Sequence, residues 1–273
     1  MRLPLVLSLF LSLFLASAAS ADLIVPQTSA SRILIPVAGN AAGANGTFFR
    51  SDISIVNLRN VDQRVLLRWY PQGRAGDDPS LTRAITLQAR SGVSSENFVL
   101  NQLQQTGIGS IDIIGVREDA TFDPEAQLHA TSRIWTPQPN VTNGTMSQSF
   151  PSIVLTSSQN PVKWIFGVRR SEQYRLNVGV SNPGSVAQRF RVTAVGETGT
   201  TEVVEFDVPA MSMEQRGIAG TGGVTQLVVQ NISSPFSGTW QAWASSIDNV
   251  TGDATSQIAF PAPAVAPPTV SAQ

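Results

Sequence analysis

The chain contains no cysteine, one histidine and one lysine. Without cysteine no disulfide framework can form, and no acyl chain can be attached at a leader cleavage point, so a lipoprotein is excluded. A lone histidine, His129, with no thiol to join it, argues against zinc, which takes several nitrogen or sulfur ligands. Charge is scarce as well. Charged residues make up 14% of the chain, and 18 basic against 19 acidic side chains leave a net charge of −1. Nothing in that balance resembles a basic nucleic-acid surface or a polybasic membrane patch. All basic residues are arginine except Lys163, a bias that, with the missing cysteines, points to a bacterial source. Beyond the N-terminus no stretch is apolar enough to span a bilayer, so no membrane span is expected once a leader is removed.

What is present begins with that leader. Met1-Arg2 supplies a short positive region, Leu5 to Ala16 an apolar core broken only by serines, and Ala19-Ser20-Ala21 a small-x-small cleavage pattern. The apolar run is shorter than the roughly 20 residues a spanning helix needs. Residues 1–21 are therefore expected to be a signal peptide, with a secreted or periplasmic chain starting at Asp22. The Pro- and Ala-rich segment 261–273 reads as a disordered tail.

The remaining sequence resembles itself. Phe49 to Asn57 aligns with Tyr174 to Asn182, and the match runs on through Gln63 and Arg64 on Gln188 and Arg189. Ile111 and Ile113 then match Leu227 and Val229, and Leu128 and Ala130 match Trp240 and Ala242. Within each copy apolar residues alternate with polar ones, as Ile53 and Ile55 do with Asp52 and Ser54, the period of a half-buried strand. Gly- and Pro-containing turns fall between the runs, for example Asn182-Pro183-Gly184. About seven short strands per copy predict two tandem immunoglobulin- or fibronectin-like β-sandwiches. The expected division is 22–138, a linker over 139–149, and 150–260, with one helical turn somewhere in Leu100 to Thr106.

Several motifs carry a family resemblance: Phe49-Arg50-Ser51-Asp52-Ile53, Tyr174-Arg175-Leu176-Asn177-Val178, Asn143-Gly144-Thr145-Met146-Ser147-Gln148, and the closing run Ala242 to Asp253. Together they resemble an uncharacterised group of secreted bacterial proteins with tandem immunoglobulin-like sandwich modules. The resemblance covers most of the chain after the leader. It implies fold and compartment and supplies no catalytic residues.

Residues able to carry chemistry are few. A Ser-His-Asp site would have to use His129, and no Gly-x-Ser-x-Gly elbow accompanies it. Glu118, Asp119, Asp123 and Glu125 cluster between two predicted strands, where a solvated turn competes with a glycosidase pair or a calcium site. Asp248, Asn249 and Asp253 offer oxygen ligands for calcium, against the simpler reading of an Asx-closed turn. Trp69 and Trp240 follow the inward parity of their strands, whereas Trp135 and Trp243 fall on the outward parity. The latter two are candidates to stack on sugar rings, or else lie beneath the neighbouring domain. Arg50 and Arg175, with Arg64 and Arg189, recur in both copies, and a face presenting them would grip an acidic polymer or form a salt-linked surface.

These features favour an exported, non-catalytic structural or adhesive protein of the cell envelope or exterior, without a cofactor, whose partner is a polysaccharide or another envelope protein and not nucleic acid. The runner-up is a carbohydrate-binding module using exposed tryptophans. An extracellular hydrolase built on Asp119, Glu125 and His129 comes third.

Overall fold

In the computed structural model, strands follow one another along nearly all of the described residues, which are 29–43, 46–138, 141–155, 160–196, 199–220, 223–235 and 238–261. The leader read over 1–21 and the tail beyond Pro261 lie outside them. The first half holds β1 (Arg32–Ala42), β2 (Phe48–Asn57), β3 (Gln63–Pro71), β4 (Thr82–Leu87), β5 (Gly92–Ser95), β6 (Gly107–Val116), β7 (Leu128–Pro137), β8 (Thr145–Pro151) and β9 (Ile153–Val154). A single helical turn, α1 (Phe98–Asn101), links β5 to β6. The second half holds β10 (Val162–Arg170), β11 (Tyr174–Asn182), β12 (Gln188–Gly196), β13 (Gly199–Val208), β14 (Ser212–Ile218), β15 (Val224–Asn231), β16 (Gln241–Asp248), β17 (Ala254–Ile258) and β18 (Phe260–Pro261).

The protein is all-β, and each half is a two-layered sandwich. In the first, β4-β3-β6-β1-β9 form one layer and β5-β2-β7-β8 the other. In the second, β13-β12-β15-β10-β18 pack against β14-β11-β16-β17. These pairings run in the same order in both halves, and a register shift interrupts β1 after Ile35 and β10 after Phe166. One difference stands out. The end of β1 also pairs with β2 at Asn40–Ala42, which joins the two layers of the first half into one nine-stranded sheet.

Inward-facing side chains fill two separate cores. Ile33, Ile53, Ile55, Leu67, Trp69 and Ile113 lie in the first. Val178, Val180, Phe190, Val192, Val229 and Trp240 lie in the second, where the Phe190 and Trp240 rings meet at 5.1 Å. The period-two alternation puts these residues on one face of each strand and leaves the polar ones outside.

A buried asparagine closes each β2–β3-type turn. Asn57 donates through Nδ2 to the carbonyls of Val61 at 2.7 Å and Gln88 at 3.1 Å, and its Oδ1 accepts from the Arg59 amide at 3.0 Å. Asn182 does the same with Val186 at 2.8 Å, Pro209 at 2.9 Å and the Gly184 amide at 3.1 Å. Both side chains are fully buried. Each ties the turn after its own strand to the next hairpin, satisfying backbone groups that no ladder reaches.

The two halves meet one end of the first on one face of the second. Val37 and Phe150, with Ile108 and Ile134, pack on Met213 and Trp243, with Ile258 beside them. Trp243 is 2% exposed and lies edge-on to Phe150 at 5.2 Å. The indole covers Gly179, where a Cβ would overlap the ring. Around this apolar centre, Ser212 donates to the Pro71 carbonyl at 2.7 Å, the Ser110 and Ser181 hydroxyls share a bond of 2.6 Å, and Ser245 donates to Gln148 at 2.8 Å.

The stretch expected to be a linker, 139–149, does not stand between the halves. Its latter part enters β8, which pairs with β7, and β9 returns to β1, so the chain stays on the first half through Val154. β8 and β17 escape a sequence reading because their alternating residues are small or polar, as in Thr145-Met146-Ser147-Gln148 and Thr255-Ser256-Gln257. At sheet edges such residues form the ladder without advertising a core face. The helical turn starts two residues earlier than expected, at Phe98.

Replacing either asparagine strands several buried backbone groups at once. Asn57→Ala and Asn182→Ala are each expected to cost about 3 kcal/mol in urea unfolding. Asn60→Ala, on the surface of the same turn, should stay within about 0.5 kcal/mol of the parent.

Candidate functional site

Asp119 and Asp123 are tied into turns, whereas His129 lies on a strand. Asp119 accepts from the Thr121 hydroxyl at 2.6 Å and its amide at 3.0 Å, and these bonds hold its carboxyl below the usual carboxylate range. Asp123 accepts from Arg59 at 2.8 Å and from the Glu125 amide at 3.1 Å. Glu125 reaches the same arginine at 3.4 Å. His129 is half-buried on β7, opposite Val56 of β2.

Asp248, Asn249 and Asp253, read as either calcium ligands or an Asx-closed turn, lie in a hydrogen-bonded turn after β16. Asp248 accepts from the amides of Val250 at 2.7 Å and Thr251 at 3.0 Å and from the Gln173 side chain at 2.9 Å. The Thr251 amide, then the Val250 amide and Gln173, hold this carboxyl below its ordinary range. Asn249 accepts from Arg175 at 3.1 Å, and the Asp253 amide donates to Thr251 at 3.1 Å. This is an Asx-closed turn. Among the described residues no group of three acidic, histidine or cysteine side chains is placed to hold an ion.

The recurring arginines do not share one face. Arg50 and Arg175 lie on β2 and β11, whereas Arg64 and Arg189 lie on β3 and β12 in the opposite layers. Arg64 donates to the Glu118 carbonyl at 2.6 Å. Arg189 pairs with Glu205 at 3.2 Å and Asp207 at 3.4 Å, and Arg191 joins Glu205 at 2.7 Å. The salt-linked alternative describes this cluster.

Of the two outward-parity tryptophans, Trp243 is sealed inside the joint and is unavailable as a stacking surface. Trp135 is half-buried, donates through Nε1 to Asp52 at 2.8 Å, and lies beneath Arg50 at 5.4 Å and Arg133 at 5.9 Å. Its ring is thus engaged by cations of its own chain. Beside the joint runs a cleft of about 890 Å3 bordered by Met146, Gln148, Arg175, Asn177 and Ile247.

The clearest exposed feature is one the sequence reading passed over. Register places Val203, Thr193, Val228, Trp164 and Phe260 in a row across five strands, from β13 through β12, β15 and β10 to β18. Phe166 follows Trp164 on the same face, and their rings stack at 5.7 Å and 19°. Phe166 is 52% exposed, Phe260 61% and Val203 52%, while Trp164 and Val228 are half-buried. The signal was available in the parity of Trp164 and Phe166 around inward Ile165. The unbroken apolar run Trp164-Ile165-Phe166 masks it, because a run without alternation reads as buried on both faces.

The same strand carries the chain's only lysine on its inward face. Lys163 pairs with Val229 as Ile33 pairs with Ile113 in the first half. Its Nζ donates to the Trp240 carbonyl at 2.6 Å and to Gln241 Oε1 at 2.7 Å, and lies 4.6 Å from the centroid of the Trp240 ring. Burial pushes this ammonium down to about 8. In the first half a different buried charge occurs: Asp112 takes Arg32 Nη2 at 2.6 Å and the Tyr70 hydroxyl at 2.6 Å. Burial and the adjacent carboxylate push the Tyr70 phenol far above its usual value, while burial disfavours the Arg32 cation but is more than offset by the charge and hydrogen bond of Asp112 together with Tyr70.

Comparison with protein-family models, with curated proteins and with solved structures gave no match.

Lys163 gives the fold a pH dependence of defined sign. Below pH 8 the folded and unfolded chains both hold the proton, and the buried charge destabilises the fold by a constant amount. Between 8 and about 10.5 the unfolded chain binds it more strongly, so stability rises with pH. Unfolding free energy measured as parent minus Lys163→Met is expected to increase by about 3 kcal/mol from pH 7 to 10.5. A flat difference would show that the ammonium is not desolvated.

Proposed function

We propose that the chain is an exported, non-catalytic structural or adhesive protein of the bacterial cell envelope or exterior, built from two copies of one sandwich unit. The observation that carries this reading is the outward apolar row on β13, β12, β15, β10 and β18, on a body where Asp119 and Asp248 close turns and Asp123, Glu205 and Asp207 pair with arginines. Exposed apolar rows of this kind mark interaction surfaces. The N-terminal leader pattern supports export, and the recurrence of the strand pairings and of the buried asparagine turns supports duplication. A joint packed around Trp243 suits a protein that must stay rigid without disulfides. Among the described residues no helix is long and apolar enough to cross a membrane.

The reading is tested by producing the full chain in a bacterial host and fractionating the cells. Periplasm or medium should contain a chain with the mass of Asp22–Gln273. An uncut chain confined to the cytoplasm would refute export. The non-catalytic part is tested by the triple variant Asp119→Ala, Glu125→Ala, His129→Ala, which should adhere to isolated cell-wall material as the parent does. Loss of adhesion in a variant that still unfolds cooperatively would move the adhesive surface to the acidic loop, and release of soluble products from the wall material by the parent but not by the variant would refute the non-catalytic reading.

A further inference from the structure

We propose that the outer face of the β13-β12-β15-β10-β18 layer is a binding platform for a neutral polysaccharide, with Trp164, Phe166 and Phe260 as its stacking surface. This deepens the exported-adhesin reading by naming its partner. The fold does not require an apolar row here. In the first half the positions with the same pairings as Trp164, Val228 and Thr193 are Leu34, Asp112 and Arg68. Two of those three are charged, and Leu34 and Asp112 are fully buried. The second half instead leaves Phe166 and Phe260 largely exposed and Trp164 partly so, which is unfavourable relative to covering them.

The groups around the rings are uncharged and polar. Gln226 sits opposite Phe166, and Gln230 opposite Val162, one row from Trp164. Among the described residues neither glutamine side chain has a hydrogen bond within the chain, nor has the Thr193 hydroxyl between them. Stacked rings flanked by uncharged donors and acceptors suit a ligand that alternates apolar C–H faces with hydroxyl groups. A sugar ring has both.

The charges of this layer do not favour an ionic partner. Of the charges on this layer, Arg189, Arg191, Glu205 and Asp207 are paired with one another to one side of the aromatic row, Arg170 is paired with Glu202, Lys163 faces inward, and Arg169 stands at the end of β10 over the Tyr174 ring. No unpaired charge stands within the row itself, so attraction to an acidic polymer has no source there. A protein partner would meet the same apolar row but would not need the free amides, and it is an outcome of the test.

The test is depletion of the purified full chain from solution by insoluble cellulose, chitin, β-1,3-glucan and starch, at about 0.1 M and 1 M salt. The expected result is retention by at least one glycan, equal at both salt concentrations. Trp164→Ala should weaken that retention roughly tenfold or more. Phe166→Ser with Phe260→Ser should do the same with unfolding unchanged, since both side chains are largely exposed. Trp135→Ala should bind as the parent does. Retention by none of the four, retention lost in 1 M salt, or retention unaffected by the Phe166 and Phe260 changes would each overturn the proposal. The first of these would leave the face to a protein partner. Since the assay is made on purified protein, a negative result leaves the exported reading to be decided by fractionation alone.

Discussion

A side-chain amide that replaces missing backbone partners holds each half of this molecule to its shape. Asn57 and Asn182 stand where a strand leaves the sheet and the chain must reverse without a ladder to satisfy its carbonyls. A hydrophobic residue would fill the space but leave those carbonyls buried and unpaired. A charged one would carry a desolvation cost. The neutral amide supplies two donors and an acceptor in one plane, which is what the turn needs. In a chain without cysteine, a buried polar clasp does the work of fixing one strand crossing relative to the next. The inward alternation can then fill the two cores.

The halves share a pairing order but not a surface. The layer that meets solvent as an apolar row in the second half carries, in the first, the buried Arg32–Asp112–Tyr70 cluster. The layer that holds Trp135 beneath two arginines in the first half is the one that carries Trp243 in the second. Core positions are constrained by packing on both sides and tolerate little change in volume. Outward positions are constrained only by what they touch. The two halves therefore share one pattern of interior and display two exteriors.

Strand alternation was the part of this fold most legible in the sequence. Residues such as Ile53, Ile55, Val178 and Val180 fall on the inward face the period assigns them, and Trp69 and Trp240 are core residues as their parity requires. The edge strands β8 and β17 were not legible, because Thr145 to Ser149 and Thr255 to Gln257 are almost wholly polar and show no apolar alternation. The site was less legible still. Parity distinguishes inside from outside of a strand but does not say whether another half of the chain covers the outside. That is why Trp243, outward on β16, is buried, while Phe260, next to the Pro-rich tail, is open. The arginines failed for a related reason, since recurrence places residues on equivalent strands without saying which layer each strand joins.

The joint has a further property that follows from its asymmetry. An end meets a face, so the contact is heterologous, the kind that propagates into filaments whenever both partners also offer the complementary surface. Here the positions with the same pairings as Trp243 and Gly179 are Thr131 and Ser54, which present hydroxyls where the second half presents an indole on a bare backbone. The first half therefore has a plug without a socket of its own. The contact that unites the two halves terminates after one use, and the same residues cannot extend it from one molecule to the next.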